Sequence, residues 1–298
     1  MVQNKSSIVE ELNRIVNVAS ISQRSPFRYP GGKTWLVPQI RTWLTSQSKK
    51  PVLFVEPFTG GGIAGLTVAF ESLADKILLV EIDEQVACVW KTLLNGDAEW
   101  LANRILNFEM TQEALIKELN SAEISVRQNA FKTLLRNRTN HGGILAQGAG
   151  LIKNGEQGKG INSRWYPATL AKRILNIEKV ANKIEFIEGD GINIMRKYSE
   201  NRDVAYFIDT PYTAAGKKAG TRLYTHSLLD HEELFSLASS LQGDFLMTYD
   251  DAKGVRLMAE QHGFDLVEIA MKNTHNVNMK ELLIGRNLDW ARKKYTLF

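Results

Sequence analysis

The chain has 298 residues, 44 % of them hydrophobic, and its 37 lysines and arginines against 33 acids leave a net charge of +4. That length is enough to bury a substantial core, as one large α/β domain or one domain with an inserted lobe. The single cysteine, Cys88, excludes an internal disulfide and a thiolate zinc cluster, and no apolar run is long enough to span a bilayer. Met1 to Glu11 is polar and lacks an apolar core of signal-peptide length, so an intracellular protein is expected.

In chain order, Pro26-Phe27-Arg28-Tyr29-Pro30-Gly31-Gly32-Lys33 precedes a helix expected over Trp35 to Trp43. A phosphate loop would need a glycine where Phe27 stands, so no triphosphate site follows; Lys33 could instead hold a carboxylate. Val52 to Glu56 reads as a strand that runs into the loop Pro57-Phe58-Thr59-Gly60-Gly61-Gly62 and a helix over Gly65 to Leu73. Glycines there let backbone approach a ligand, and the helix start supplies free N–H groups. Lys76 to Glu81 is the next strand, and Glu81 at its end is placed for the hydroxyl pair of a ribose, which a nicotinamide dinucleotide and S-adenosylmethionine both carry. A helix over Glu84 to Leu94 follows, and strands are expected again at Ile184 to Glu188, Val204 to Ile208 and Phe245 to Thr248. Asp265 to Met271 and Glu281 to Ile284 suit a closing hairpin. Strand and helix in alternation predict a doubly wound, mostly parallel α/β sheet of Rossmann-like form.

The alternation breaks between Asn95 and Asn182, which predicts a core made of 1–94 and 183–298 and an inserted lobe over 95–182. Its first part, Glu99 to Leu135, reads as helical. From Gly142 to Gly160 come seven of the chain's 22 glycines, a composition that suits a ligand-presenting hairpin or a segment that orders on binding. Nine Lys or Arg lie between Arg127 and Arg173 against the single Glu156, and a polyanion is the partner such a segment fits.

The strand Val204 to Ile208 ends in Asp209-Thr210-Pro211-Tyr212, a carboxylate, a bare carbonyl and an aromatic ring at the lip of the sheet. Asp209 and the Thr210 carbonyl can each accept one hydrogen of an exocyclic amine, and Tyr212 can stack on its ring. In one order, FRYPGGK (Phe27 to Lys33), FVEPFTGGG (Phe54 to Gly62), LVEID (Leu79 to Asp83), FIEGD (Phe186 to Asp190) and FIDTPY (Phe207 to Tyr212) resemble the Dam-like DNA adenine methylases, from about Phe27 to Ile284. The resemblance implies transfer of a methyl group from S-adenosyl-L-methionine to adenine N6 of a flipped base in duplex DNA. It implies catalytic roles for Asp209, Thr210, Pro211 and Tyr212, and a cofactor site from Tyr29, Lys33, Glu56, Phe58, Gly60, Glu81, Asp190 and Asp209. Tyr29 and Lys33 would meet the methionyl end and Asp190 the adenine. No metal is implied.

The inserted lobe falls where the family's target-recognition region lies. There Arg138, Lys153, Lys159 and Arg164 suit phosphates, Asn137, Asn140, His141 and Gln147 suit base edges, and Trp165-Tyr166 suits stacking. The implied partners are double-stranded DNA and a cognate restriction endonuclease, with no membrane. The implied setting is the cytoplasm and nucleoid of a bacterium, with a bacterial or phage-encoded chain. The tetrapeptide demands only an exocyclic amine, so cytosine N4 or an RNA base stays open beside adenine. One residue departs from the family: its tetrapeptide is normally Asp-Pro-Pro-Tyr, and Thr210 replaces the first proline. Threonine keeps the carbonyl and loses the fixed φ, so a looser and slower site is expected, and a DNA-binding homologue without turnover is the alternative.

Overall fold

In the computed structural model, residues 16, 18–28, 32–122, 125–146, 148–210, 229–272 and 278–292 are described. Seven strands form one sheet: β1 (Leu53–Glu56), β2 (Lys76–Glu81), β3 (Ile184–Glu188), β4 (Val204–Asp209), β5 (Asp244–Asp250), β6 (Asp265–Lys272) and β7 (Asn278–Gly285). Their order is β3-β2-β1-β4-β5-β7-β6. The five strands from β3 to β5 are parallel, while β7 runs antiparallel to both β5 and β6. The expected strands and closing hairpin are all present, the hairpin longer than its apolar residues indicate. The order reverses between β1 and β4, and a crevice at the carboxyl ends of two such strands is where open α/β sheets bind ligands.

Alternation along each strand decides which face a side chain meets. Phe54, Ile77, Leu79, Ala205, Phe207, Leu246 and Leu283 face one apolar layer, and Val55, Leu78, Val80, Tyr206, Ile208, Met247 and Leu282 face the other. The first layer is closed by α1 (Val37–Ser46), α2 (Ile63–Glu71) and α3 (Glu84–Leu94). The second is closed by α8 (Gly191–Tyr198), α9 (His231–Ser240) and α10 (Lys253–Gln261). Asp83 caps α3 by accepting from Gln85 N and Val86 N, and Asp230 caps α9 by accepting from Glu233 N.

The expected helical stretch Glu99 to Leu135 is three helices: α4 (Ala98–Leu106), α5 (Gln112–Asn120) and α6 (Val126–Thr139). Thr111 and Ser125 each cap a new start, so the apolar positions that look continuous in the sequence belong to separate axes. With α7 (Pro167–Glu178) they share one apolar cluster with the first sheet layer. The glycine-rich stretch between α6 and α7 holds short 3₁₀ turns and a single antiparallel bridge, Asn140 to Leu151, among its described residues. It is a hairpin only at that root. A four-residue α11 (Asp289–Arg292) follows β7.

Candidate active site

Because side chains alternate, Glu56, Glu81 and Asp209 end three adjacent strands on the same face of the sheet, the face of Phe54, Leu79 and Phe207. Glu56 is 3 % exposed, and its Oε2 accepts the Gly65 N–H at 2.7 Å. Burial, opposed by that N–H and reinforced by the Asp209 and Glu81 charges, pushes its carboxyl well above the usual range. Glu81 Oε2 accepts from Gly60 N at 2.7 Å, and Oε1 accepts from Ile82 N and Asp83 N at 2.9 and 3.0 Å. Burial pushes Glu81 up to about 7 against those three N–H groups.

The glycine turn between β1 and α2 is pinned at each carbonyl. Trp90 Nε1 donates to Gly60 O at 3.0 Å and Ser25 Oγ to Gly61 O at 2.5 Å. Thr59 bridges the strand ends, accepting from Val80 N at 2.8 Å and donating to Glu56 O at 2.9 Å. Gly62 has φ +62°, and a Cβ there would lie 2.5 Å from the Trp90 ring, so this position requires glycine on both counts.

Asp209 lies where β4 ends, and its side chain keeps 27 % exposure. Its Oδ1 accepts from Thr248 Oγ1 at 2.8 Å and is paired with Lys33 Nζ at 2.9 Å. Lys33 Nζ also lies 3.0 Å from Glu281 Oε1. Burial alone would push the Lys33 ammonium down, but the two carboxylates more than reverse this and hold it above its ordinary range. Burial raises Glu281 to about 7 despite the attraction of Lys33, and its Oε2 is buried without a hydrogen bond among the described residues. Lys33, read from the sequence as available to a ligand carboxylate, is thus held inside the site between two of its own.

Thr210 is 4 % exposed, and its hydroxyl hydrogen-bonds the Tyr249 phenol. It is therefore not simply a loosened proline. Phe58 is half-buried at the turn after β1, and Asp190, exposed after β3, accepts from Ile192 N at 2.9 Å as the cap of α8. Tyr29, Pro211, Tyr212 and Gln147 lie outside the described residues. Two carboxylates, Asp209 and Glu281, hold the Lys33 ammonium, and Glu56 and Glu81 end the neighbouring strands β1 and β2 on the face of Asp209. The partly exposed Asp209 carboxylate, with an acceptor at the end of β2 and an exposed Asp190 after β3, fits S-adenosylmethionine, which carries a sulfonium, an α-ammonium, a ribose and an adenine.

In the inserted segment the structure corrects two expected DNA contacts. Arg138 is 6 % exposed, and its Nη2 donates to Pro26 O at 2.5 Å. Burial lowers it to about 9, aided by the Arg173 and Arg28 charges. Trp165 is 9 % exposed and meets Phe108 edge to face at 6.0 Å, a core contact. Two candidate base readers are likewise internal: Asn137 accepts from Arg28 N and donates to Arg28 O and Gly143 O, and Asn140 donates to Ile144 O. Arg138 and Asn137 thus hold residues 26–28, while Trp165 and Asn140 find their partners in Phe108 and Ile144. A Cβ on Gly143 would lie 2.6 Å from Arg28 O, which explains a glycine with φ +77° there. Lys153, Lys159 and His141 are exposed, Arg164 is half-buried, and Tyr166 is the outward aromatic at 55 %. Sequence reasoning missed Thr248, Tyr249, Glu281 and His231; the first three stand on β5 and β7 beside Asp209, a neighbourhood that only the strand order reveals.

Residues 29–275 match the profile of the D12 class N6 adenine-specific DNA methyltransferase family. No curated protein sequence matches the chain. Among solved structures, an rRNA methylase of Streptococcus thermophilus is 11 % identical, with 84 % of this chain and 95 % of that one covered and a TM-score of 0.35. TrmK of M. capricolum in complex with S-adenosyl-homocysteine is 7 % identical over 84 % of this chain and 68 % of that one, TM-score 0.37. A methyltransferase of Geobacter sulfurreducens is 11 % identical over 96 % and 93 %, TM-score 0.36.

Proposed function

This chain belongs to the D12 class N6 adenine-specific DNA methyltransferase family, and we propose that it methylates adenine N6 of a base flipped out of duplex DNA at one short sequence. Its cofactor is S-adenosyl-L-methionine. The observation that carries the proposal is the Asp209 carboxylate at the sheet's topological switch point, gripped on Oδ1 by Thr248 and Lys33. That grip holds the carboxylate by one oxygen, and Oδ2 is assigned to an incoming amine.

Adenine N6 is a poor nucleophile because its lone pair is drawn into the ring. Asp209 Oδ2 accepts one N6 hydrogen and the Thr210 carbonyl accepts the other, which drives the nitrogen toward tetrahedral geometry and frees the lone pair. Bound beside them, the cofactor supplies an electrophilic methyl group on a sulfonium. As the N–C bond forms, the methyl's bond to sulfur would break and leave a neutral thioether, while N6 gains positive charge between the two acceptors and then gives one proton to solvent. The flipped base leaves its stack, and Tyr212 replaces the lost neighbour. Tyr29 is assigned to the methionyl end, Glu81 to the ribose through the lone pair that remains on Oε2, and Asp190 to the adenine; Lys33, held by Asp209 and Glu281, steadies the acceptor, and Glu56, Phe58 and Gly60 wall the cofactor.

Residues 95–182 are proposed as the target-recognition lobe on a core of 1–94 and 183–298. Exposed Lys153 and Lys159 are assigned to phosphates, with Arg164 beside them and His141 and Tyr166 toward the bases. No helix among the described residues is long and apolar enough to cross a membrane, and the proposed place of action is the nucleoid. A cognate endonuclease is the proposed partner if the methylated site is also a cleavage site. The test is methylation-sensitive sequencing of DNA from cells expressing the chain. N6-methyladenine at one motif is expected; N4-methylcytosine, or unmodified DNA with methylated RNA, would overturn the reading.

A further inference from the structure

Two consecutive residues of β5 hold two consecutive residues at the end of β4. Thr248, in register with Asp209, donates to its carboxylate on the face of the acidic groups. Tyr249 points to the opposite face, is 2 % exposed, and bonds the hydroxyl of Thr210. The Tyr249 phenol lies 3.0 Å from His231 Nδ1, and the two rings meet edge to face with centroids 5.7 Å apart. Phe235 packs against the Tyr249 ring from α9 at 5.6 Å. Burial holds His231 below its usual range, against the pull of the Asp230 carboxylate, which favours the neutral ring that can accept from a phenol. Thr210 and His231 flank residues 211–228, so one hydrogen-bond chain ties the backbone on both sides of the stretch that begins with Pro211 and Tyr212.

We infer that Tyr249 and His231 are positioning residues for methyl transfer: by holding the Thr210 side chain they fix the direction of its backbone carbonyl, the second acceptor for the target amine. The inference rests on the function proposed above. In the family's usual tetrapeptide a proline ring fixes φ at this position. Threonine has no ring, and its backbone would sample more conformers, each swinging the carbonyl away from the amine. A hydroxyl tied to a buried phenol, itself tied to a helix start, supplies the missing constraint by hydrogen bonds. Threonine at 210, tyrosine at 249 and histidine at 231 thus form one device.

The test is single-turnover methyl transfer on methylatable duplex DNA by Tyr249→Phe, His231→Asn, Thr210→Val and Thr210→Ser, with cofactor affinity and thermal melting measured alongside. Loss of one hydrogen bond should slow transfer about three- to tenfold in Tyr249→Phe and Thr210→Val. His231→Asn should fall in the same direction, cofactor affinity should stay within about twofold, and Thr210→Ser, which keeps the hydroxyl, should lose less than Thr210→Val. The decisive comparison repeats Tyr249→Phe in a Thr210→Pro background, where the ring makes the latch redundant and the change should be less than about twofold. An equal loss in both backgrounds would mean that Tyr249 is only packing, and parent rates in Tyr249→Phe and His231→Asn would remove the device altogether. Should Tyr249→Phe fail to fold, Thr210→Val and His231→Asn read the same link. A parent chain that methylates no adenine defeats the proposed function and the inference with it, an outcome distinct from a parent that is active and variants that match it.

Discussion

Replacing Asp209 by asparagine separates the charge of the proposed acceptor from its shape. An asparagine Oδ1 can still accept from Thr248 and Lys33, which lie 2.8 and 2.9 Å from the present oxygen. The other position, however, becomes an NH2 that meets the N6 hydrogens donor to donor. Loss of one group aimed at transition-state charge lowers turnover by about 10²- to 10³-fold, or roughly 3 to 4 kcal/mol. Folding should suffer far less. Stripping a buried charge of its partner is worth about 3 to 5 kcal/mol, but Lys33 keeps Glu281 at 3.0 Å. The melting temperature of Asp209→Asn should therefore fall by no more than about 4 °C, the shift for roughly 1 kcal/mol in a chain of this size. Asp209→Ala, which removes both oxygens, should show the same kinetic loss with a larger fall in stability. Single-turnover transfer, calorimetric titration with S-adenosylmethionine and thermal melting report the three quantities. A rate within about threefold of the parent's, or a loss confined to cofactor affinity, would refute the acceptor role.

Glu81→Ala should weaken S-adenosylmethionine binding by about 1 to 3 kcal/mol, the range for a charged hydrogen-bond acceptor; unchanged affinity by calorimetry would place the ribose elsewhere. Glu81 and Glu281 are each raised to about 7, so the folded protein binds protons that the unfolded chain has released between about pH 4.5 and 7. Their contribution is fully present below that window and lost as pH rises through it, and the ligand-free melting temperature should fall from pH 5.5 to 8 while the gain on adding the cationic cofactor grows; a rise without cofactor would contradict the burial of these groups. Lys153→Glu with Lys159→Glu should weaken DNA binding and flatten its salt dependence by about 0.9 in log-log slope for each phosphate that is no longer neutralised, whereas an unaltered slope would keep the glycine-rich stretch off the backbone. Gly62→Ala should destabilise the fold and cofactor binding together, because its φ of +62° and the Trp90 ring both exclude a Cβ; a melting curve like the parent's would show that the turn relaxes freely.

The parallel strands were legible because each is a short apolar run closed by a polar residue, and the carboxylates that end β1, β2 and β4 were legible for the same reason. Period-two alternation carries them to one face without further information. The break in alternation between α3 and β3 was legible, but not which of its residues face solvent. Basic and amide residues look alike in a sequence whether they face solvent or brace a neighbouring loop, and Arg138 and Asn137 bind the carbonyls of Pro26 and Arg28, more than a hundred residues away in the chain. No local pattern encodes a contact of that span. Trp165 belongs to the same class, since its partner Phe108 lies on the far side of two helices in sequence.

Thr210 shows the limit of local reading most clearly. Read alone, it is a proline that has been lost, and only entropy can be argued from it. Its meaning depends on β5 lying beside β4, which puts Thr248 level with Asp209 and leaves Tyr249 on the opposite face, next to Thr210. Glu281 follows from the same adjacency, because antiparallel β7 sets it opposite Asp250, one residue beyond Tyr249 on β5. Each of these side chains is ordinary within its own strand. The chemistry of the tetrapeptide is thus written locally, in Asp209 and the carbonyl that follows it, while the groups that aim those two acceptors are written in strands that close the sheet and are joined to them by order alone.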